Sequence, residues 1–129
     1  MNLVDLREHP DLICDYVKLR NKYVYELMSS PITLESTEKW MLDHKALMMG
    51  VTESQELIGV CIIYQERNNE LTIFVKYPHR GIGKFILDNM GGLCKEYNIT
   101  EVWARVKSDN HSAKKFFEKE FDTIYRRKI

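Results

Sequence analysis

Two glycines and three basic side chains lie close together near the middle of the chain. Gly81 and Gly83 are separated by one residue, and His79, Arg80 and Lys84 add positive charge beside them. A strand pattern precedes this segment and an amphipathic helix pattern follows it. Where a strand reaches a helix through glycines, backbone N–H groups at the helix N-terminus are unpaired and the helix dipole is positive there, so anions bind. The segment therefore predicts a phosphate-binding turn, whereas Gly-x-Gly without these flanking elements would indicate only a tight turn.

The residues around these glycines exclude two common phosphate ligands. A Walker loop that hydrolyses ATP needs glycine at position 78 and Ser or Thr at position 85, which are Pro78 and Phe85 in this chain. A dinucleotide fingerprint needs a third small residue at position 86, which is Ile86, and it normally follows the first strand of a parallel sheet. We therefore expect neither ATP hydrolysis nor NAD binding.

Hydrophobic periodicity predicts an α/β domain in which helices flank a mixed sheet. Short apolar or alternating runs predict strands over 3–6, 48–52, 57–64, 71–75, 100–106 and 121–128. Apolar residues at three- and four-residue spacing predict helices over 13–28, from Thr33 to Leu47, over 82–97 and after the capping segment 108–110. The strand over 57–64 is apolar on both faces, which places it centrally in the sheet.

Length and charge limit the class of protein. The chain has 129 residues, of which 44% are hydrophobic, and this predicts a single domain over 1–129. Nineteen Lys and Arg balance nineteen Asp and Glu, so the whole-protein field expected of a nucleic-acid binder is missing. The longest apolar run, over 57–64, is too short to span a bilayer, and residues 1–5 carry no signal-peptide pattern. We expect a cytoplasmic protein with no nucleic-acid or membrane partner.

The cysteines favour reduced thiols. Cys14, Cys61 and Cys94 are widely separated and odd in number, which does not suit a disulfide framework. The sequence contains no C-x-x-C or H-E-x-x-H motif, so we predict no metal site.

Two motifs resemble those of the GCN5-related N-acetyltransferases, the GNAT family. That family binds acetyl-CoA in a Q/R-x-x-G-x-G/A turn, and residues 78–83 fit this pattern except that Pro78 stands where Gln or Arg is usual. The second family pattern, N-x-x-A-x-x-F/L-Y-x-K, is matched at Asn110, Ala113, Phe116 and Lys119. Phe117 stands at the tyrosine position of that pattern. The resemblance covers nearly the whole chain and keeps the order of the elements.

The resemblance implies a mixed, mostly antiparallel sheet of about six or seven strands, flanked by about four helices and splayed between the fourth and fifth strands. Acetyl-CoA is then the expected cosubstrate, and its pantetheine binds the splayed strand edge as an added strand would. The cofactor-binding residues expected at the turn are His79, Arg80, Gly81, Ile82, Gly83 and Lys84, with the pyrophosphate on the amides of residues 80–84. An amide near Phe74 or Val75 is expected to donate to the acetyl carbonyl.

Three further residues are candidates for the site. Asn110 is expected to contact pantetheine, and it also fits a helix cap. Glu70 is the first candidate for a general base, because several relatives place a carboxylate there; the alternative is a solvated turn residue, and His44 and His79 are weaker candidates. Phe117 is expected beside the cofactor.

The proton for the leaving thiolate poses a separate question, because the phenylalanine at position 117 cannot donate one. Tyr125 or water could substitute, or the chain is no longer catalytic. These alternatives stay open on the sequence alone.

The expected function is acetyl-CoA-dependent N-acetyl transfer to a primary amine, by direct attack in a ternary complex. Residues 19–21, 32–33 and Trp40 are similar to the branch that includes amino-sugar-nucleotide and ribosomal-protein acetyltransferases. We therefore expect a small-molecule amine, such as an amino sugar nucleotide. The alternatives are a protein N-terminus as acceptor, a catalytically inactive CoA-binding regulatory module, and a plain interaction domain. The C-terminus is one strand short of the family pattern, which leaves an open sheet edge and predicts a homodimer.

Overall fold

The computed structural model describes residues 1–122 and 125–129, which form a mixed sheet with helices on both faces. The strands are β1 (Asn2–Asp5), β2 (Ala46–Glu53), β3 (Glu56–Tyr64), β4 (Glu70–Val75), β5 (Glu101–Trp103) and β6 (Arg126–Lys128). The α-helices are α1 (Ile13–Asn21), α2 (Leu34–Asp43), α3 (Ile82–Asn89), α4 (Gly91–Glu96) and α5 (His111–Glu120). Short 3₁₀ helices cover Leu6–Glu8, Pro10–Leu12 and Gln65–Arg67.

The strands lie in the sheet in chain order, from β1 at one edge to β6 at the other. Every neighbouring pair is antiparallel except β4 and β5, which are parallel. This confirms the predicted mixed, mostly antiparallel sheet, with six strands and, among the described residues, five α-helices. The strand predicted over 57–64 lies inside the sheet, between β2 and β4.

Side chains alternate between two cores because successive residues of a strand face opposite sides of the sheet. One core joins β2, β3 and β4 to α3, α4 and α5, and includes Leu47, Met49, Ile63, Ile86, Met90 and Phe117. The other joins the same strands to the N-terminal helices, and includes Met48, Val60, Ile62, Phe74, Tyr16 and Leu19. The two faces of β3 are therefore both buried, as its apolar sequence predicts.

The N-terminal helices are shorter than periodicity predicts. The helix predicted over 13–28 ends at Asn21, where Lys22 and Tyr23 donate to carbonyls three residues back instead of four. The Asn21 side chain also bonds both the N–H and the carbonyl of Ile32, which fixes the following loop. The second helix is capped by Thr33 as predicted, but Leu47 belongs to β2, because the chain is already extended at His44.

The C-terminal elements differ from the prediction for similar reasons. The single helix predicted over 82–97 is two helices that meet at Met90, directly before Gly91 and Gly92, which lower helix propensity. The strand predicted over 100–106 is only three residues long, and the one predicted over 121–128 is limited to 126–128. Residues 123 and 124 of that prediction lie outside the described part of the chain.

Residues 1–122 and 125–129 contain neither a membrane-spanning helix nor a cluster of metal-ligating side chains. No helix in these ranges has the length and apolar composition needed to cross a membrane. The same residues bring together no group of three or more His, Cys, Asp or Glu side chains that could hold a metal ion.

Candidate functional site

A cleft opens where β4 and β5 separate. In the described part of the chain, the two strands share one residue pair, Glu70 with Trp103, and the Trp103 N–H donates to the Asn69 carbonyl at 3.3 Å. Beyond this pair β4 continues to Val75, whereas β5 ends. The resulting cleft has a volume of about 250 Å³ and is lined by the loop after α1, by β4, by residues 105–106 and by the start of α5. The predicted splay between the fourth and fifth strands is therefore present.

The edge of β4 that faces away from β3 carries N–H groups that have no backbone partner among residues 1–122 and 125–129. The Lys76 N–H donates to the Ile58 carbonyl of β3 at 2.8 Å, and N–H groups alternate in direction along a strand. The Phe74 N–H therefore points to β3, while the N–H groups of Ile73 and Val75 point away from β3, to the side on which the cleft opens. Of the two residues predicted to bind an acyl carbonyl, Val75 is the one with its amide on the cleft side.

The loop after α1 is held across the cleft by two tyrosines. The Tyr23 hydroxyl donates to the Val75 carbonyl at 2.6 Å. The Tyr25 hydroxyl donates to the Asp109 carboxylate, and Lys107 Nζ lies 4.3 Å from the centre of the Tyr25 ring. These contacts join the loop to β4 and to the segment that precedes α5, so they set the width of the cleft.

The glycine turn forms the N-terminus of α3. Gly81 is its N-cap residue and has a left-handed backbone, with φ of 74°. No described side chain caps this helix, and a Cβ added at Gly81 would meet no described atom within 4 Å. The first-turn N–H groups of α3 are therefore open to a ligand, as an anion site at a helix N-terminus requires. Ile82 contributes only its backbone there, because its side chain is 2% exposed in the core.

The cations of the turn already have acidic partners. Arg80 Nη2 lies 2.6 Å from Glu53 Oε1, and this hydrogen bond raises the pKa of Arg80. Lys84 Nζ lies 3.0 Å from Asp88 Oδ2 and 3.9 Å from Glu120 Oε2. These pairs offset much of the positive charge, which leaves the backbone N–H groups as the main donors that the turn offers to an anion.

Gly83 has a packing role that its spacing does not reveal. A Cβ added at Gly83 would lie 3.0 Å from Phe116 Cζ. The missing side chain therefore lets α5 approach α3 closely. From the sequence, Gly83 was expected to let a phosphate approach the backbone. In the structure, the position that its side chain would occupy faces Phe116.

Glu70 is a buried carboxylate at the point where the strands separate. It is 4% exposed, and its two oxygens lie 3.4 Å from Arg67 Nη1 and 3.3 Å from Arg105 Nε. The alternative of a solvated turn residue is therefore wrong. The two guanidinium groups hold the carboxylate in the wall of the cleft. Glu70 is the buried acidic residue among the described residues that line it.

Asn110 lies at the cleft and also caps α5. Its Oδ1 accepts the Ala113 N–H at 3.2 Å, and the residue lines the cleft. The helix-cap role is thus observed, and the predicted contact with pantetheine is compatible with its position.

Phe117 is part of an aromatic cluster. It is 7% exposed and lines the cleft. The centre of its ring lies 5.2 Å from the ring centre of Phe116, 4.8 Å from that of Phe121 and 6.3 Å from that of Tyr125. The Tyr125 carbonyl accepts the Ala104 N–H at 2.8 Å. Tyr125 is not among the described residues that line the cleft, so the structure brings the predicted acid close to Phe117 but not to the cleft wall.

The two histidine candidates lie apart from the cleft. His44 Nδ1 is 3.0 Å from Glu66 Oε2, and its ring stacks on Trp40 at 4.8 Å. Two hydrogen bonds to the Glu66 carboxyl, the stronger from the Lys45 N–H and the other with His44, lower the pKa of Glu66. His79 is exposed in the glycine turn, with a left-handed φ of 63°.

Arg20 is a site residue to which the sequence analysis gave no role of its own, although residues 19–21 carry part of the family resemblance. Its Nη1 donates to the hydroxyls of Tyr16, at 3.2 Å, and Tyr64, at 3.1 Å, and the guanidinium lines the cleft. The signal was present, because Arg20 is a cation on the otherwise apolar stripe of the first helix. Ser29 and Thr72 also line the cleft and were not expected there.

A comparison with family models decides the classification of this site. The model of the acetyltransferase (GNAT) family matches residues 11–122. The chain belongs to this family. The family and the acetyltransferase class predicted from the two motifs are thereby confirmed. No curated protein matches the chain significantly by sequence.

Solved acetyltransferase structures have the same fold. The ribosomal-protein-alanine N-acetyltransferase of Brucella melitensis has a TM-score of 0.74 at 12% identity, over 92% of this chain and 82% of that chain. The PaiA N-acetyltransferase of Thermoplasma acidophilum, in complex with coenzyme A, has a TM-score of 0.67 at 18% identity, over 100% of both chains. The yncA protein of Salmonella typhimurium, with its cofactor acetyl-CoA, has a TM-score of 0.69 at 12% identity, over 92% of this chain and 76% of that chain.

Proposed function

We propose that this chain is an acetyl-CoA-dependent N-acetyltransferase that acetylates a small-molecule primary amine by direct attack in a ternary complex. The observation that carries the proposal is the cleft between β4 and β5, with the amide of Val75 on its edge and the carboxylate of Glu70 in its wall. Membership of the acetyltransferase family supports the reaction class. An amino sugar nucleotide is one acceptor of this kind.

The residues present fit the cosubstrate. The uncapped first turn of α3 offers N–H groups to the pyrophosphate, and the open face of Gly81 leaves room for it. The exposed amides of Ile73 and Val75 offer strand-like hydrogen bonds to the pantetheine, and Asn110 lies beside them in the cleft. Acetyl-CoA supplies the acetyl group as a thioester, which an amine can attack.

Glu70 is proposed to take the proton of the attacking amine, directly or through a water. An amine with a pKa near 10.4 must lose a proton before it attacks, and at pH 7 this costs about 4.6 kcal/mol. A carboxylate fixed by Arg67 and Arg105 is held in one position in the cleft, as a general base requires. The Val75 N–H is proposed to stabilise the negative charge that develops on the acetyl oxygen.

Water is the proposed proton donor for the departing thiolate, because Phe117 has no proton to give and Tyr125 does not line the cleft. A thiol with a pKa near 8.5 is only about 2 kcal/mol from its thiolate at pH 7, so a dedicated acid is not essential. Tyr125→Phe decides between the two donors. A fall in kcat with unchanged coenzyme affinity would assign the proton to Tyr125, and an unchanged kcat would assign it to water.

A non-catalytic CoA-binding module is the second candidate, and the aromatic cluster around Phe117 favours it. Calorimetry with acetyl-CoA, followed by thiol release against a panel of amines, separates the candidates. We expect binding, and thiol release that depends on an amine. Binding without release for any acceptor would support the module, and release with Ala-initiated peptides alone would support a protein N-terminus as acceptor.

The phosphate turn can be tested by a matched pair of variants. Gly81→Val places a branched side chain at a left-handed φ and over the open N–H groups, so we expect weaker coenzyme binding. Gly92→Ala adds a methyl group at an open position of α4, outside the turn, and should leave the affinity unchanged. Equal affinities of the two folded variants for acetyl-CoA would show that the turn does not bind the coenzyme.

Glu70→Gln tests the general base. The amide keeps the shape of the side chain but cannot take up a proton, so kcat should fall by about 100- to 10,000-fold, with unchanged affinity for acetyl-CoA. Glu101→Gln is the matched control, since it removes a carboxylate that pairs with Arg126 instead. A Glu70→Gln enzyme with normal kcat would exclude Glu70 as the base.

A further inference from the structure

Arg20 presents an unused hydrogen-bonding edge to the cleft. Its Nη1 is occupied by the hydroxyls of Tyr16 and Tyr64. Within residues 1–122 and 125–129, Nε and Nη2 have no hydrogen-bond partner. These two atoms form the side-on edge of a guanidinium, which suits two oxygens of one carboxylate or phosphate. The two tyrosines therefore orient Arg20 through Nη1, and the edge formed by Nε and Nη2 is left for another partner.

The charge of Arg20 is also uncompensated in the described part of the chain. No carboxylate there lies within 4.0 Å of its guanidinium, whereas the other two arginines of the cleft, Arg67 and Arg105, both pair with Glu70. Three cations outside the cleft also have carboxylate partners: Lys76 with Glu56, Arg80 with Glu53, and Arg126 with Glu101. Because a half-buried charge is costly without a counter-charge, an anion at Arg20 would be stabilised.

Two residues that line the same cleft have hydroxyl groups without a hydrogen-bond partner in the described part of the chain. The oxygens of Ser29 and Thr72 are buried and have no hydrogen-bond partner among the described residues, and both residues line the cleft with Arg20. Thr72 lies two residues after Glu70 on β4, so the two side chains share one face of the strand. The anion-binding groups and the proposed base therefore lie along the same wall.

We propose that the acceptor is a small primary amine that also carries an anionic group, a carboxylate or a phosphate, which Arg20 binds through Nε and Nη2. This inference rests on the proposed function. Ser29 and Thr72 donate to the remaining lone pairs of its oxygens, and the amine is directed to Glu70. A neutral amine of the same size has no anionic group to bind Arg20, so it is a poorer substrate.

Matched acceptors test the inference through thiol release from acetyl-CoA. The pairs are β-alanine with propylamine for a carboxylate, and glucosamine 6-phosphate with glucosamine for a phosphate; a peptide amide with N-terminal alanine represents a protein acceptor. We expect one anionic member to exceed its neutral partner in kcat/KM by about 10- to 100-fold, the value of a charge-assisted hydrogen bond. The pair that shows the difference identifies the anion.

Variants of Arg20 locate the effect. Arg20→Gln should raise KM for the preferred anionic acceptor by about 10- to 100-fold, with kcat and the values for the neutral partner little changed. Arg20→Lys keeps the charge without the two-atom edge and should restore only part of the affinity. Lys18→Gln removes an exposed cation from the same helix and is the control.

The outcomes distinguish this inference from the proposed function. Thiol release with equal kcat/KM for the members of each pair, or an equal effect of Arg20→Gln on both, would overturn the anion inference and leave the acetyltransferase intact. If no amine causes release, the proposed function fails, and thermal unfolding still tests the anion site. Glucosamine 6-phosphate or β-alanine should then raise Tm more than its neutral partner does, in the wild type and not in Arg20→Gln; equal shifts would overturn the inference.

Discussion

Two polar residues of the cleft are each held by one partner that is close in the sequence and one that is distant. Glu70 is fixed by Arg67 and Arg105, and Arg20 by Tyr16 and Tyr64. Buried polar groups must be paired because desolvation without a partner costs free energy. The same pairing fixes the orientation of the groups, which is what catalysis and specificity need.

The three cysteines are expected to differ sharply in reactivity. Cys14 is exposed, whereas Cys61 and Cys94 are buried. Burial raises the pKa of Cys94 to about 11, and it raises the pKa of Cys61 well above its usual value. Since the thiolate is the reactive form, a disulfide reagent at pH 8 should label one thiol in the native protein and three in denaturant.

A Cys14→Ser variant is the control for this labelling. It should remove the fast reaction and leave the denatured protein with two reactive thiols. Rapid labelling of Cys94 in the native protein would contradict the buried position of α4 against the sheet.

At the scale of elements, two features fix α5 relative to the cleft. Phe116 packs on the backbone of Gly83 in α3, and Asn110 caps the first turn of α5. The first contact sets the distance between the helices, and the second satisfies an N–H group that would otherwise be unpaired. Both are local contacts with testable contributions to stability.

Gly83→Ala and Gly92→Ala form a matched pair, because each glycine is the second residue of its helix. Alanine at position 92 meets no described atom within 4 Å and should raise the free energy of unfolding by up to about 1 kcal/mol. Alanine at position 83 must displace the Phe116 ring, which should make this variant less stable than Gly92→Ala by about 1–3 kcal/mol. Urea unfolding measures both, and equal stabilities would show that the ring moves freely.

Asn110→Ala should lower the free energy of unfolding by about 1 kcal/mol, because the cap of α5 is lost. Asn110→Ser keeps an oxygen that can accept the Ala113 N–H and should recover most of that loss. Calorimetry on the stable Asn110→Ser variant then reports any separate contact with the coenzyme. A serine variant as unstable as the alanine one would exclude the cap as the cause.

At the scale of the whole molecule, one sheet carries both the site and two exposed edges. The edges are β1 and β6, and β6 consists of three basic residues, Arg126 to Lys128. Basic side chains on an edge strand oppose pairing with a second copy of the same strand. The predicted homodimer must therefore overcome this repulsion if it uses β6.

Sedimentation at low and high salt tests the homodimer. Association through β6 should strengthen as salt rises, because salt screens the repulsion between the two basic edges. A mass near 15.3 kDa at micromolar concentration under both conditions would contradict the prediction.

The sequence by itself determined the features that depend on local spacing. Gly81 and Gly83 indicated the turn, short apolar runs indicated β2 to β4, and the motif beginning at Asn110 indicated α5. These patterns are read within one or two turns or strands, so the mixed sheet could be predicted from them, and the resemblance of the two motifs implied the family and the splay. They could not give the end of α1 or the three-residue length of β5, which depend on contacts of Asn21 and Ala104 with distant backbone.

The tertiary structure alone decided which distant side chains meet. It buried Glu70 between two arginines, set Gly83 against Phe116, and brought Arg20 to Tyr64, 44 residues further along the chain. Such contacts depend on how two faces of a sheet pack against separate helices. The spacing of residues in the sequence does not predict these contacts, because the packing free energy is shared among many residues that are close only in the folded chain.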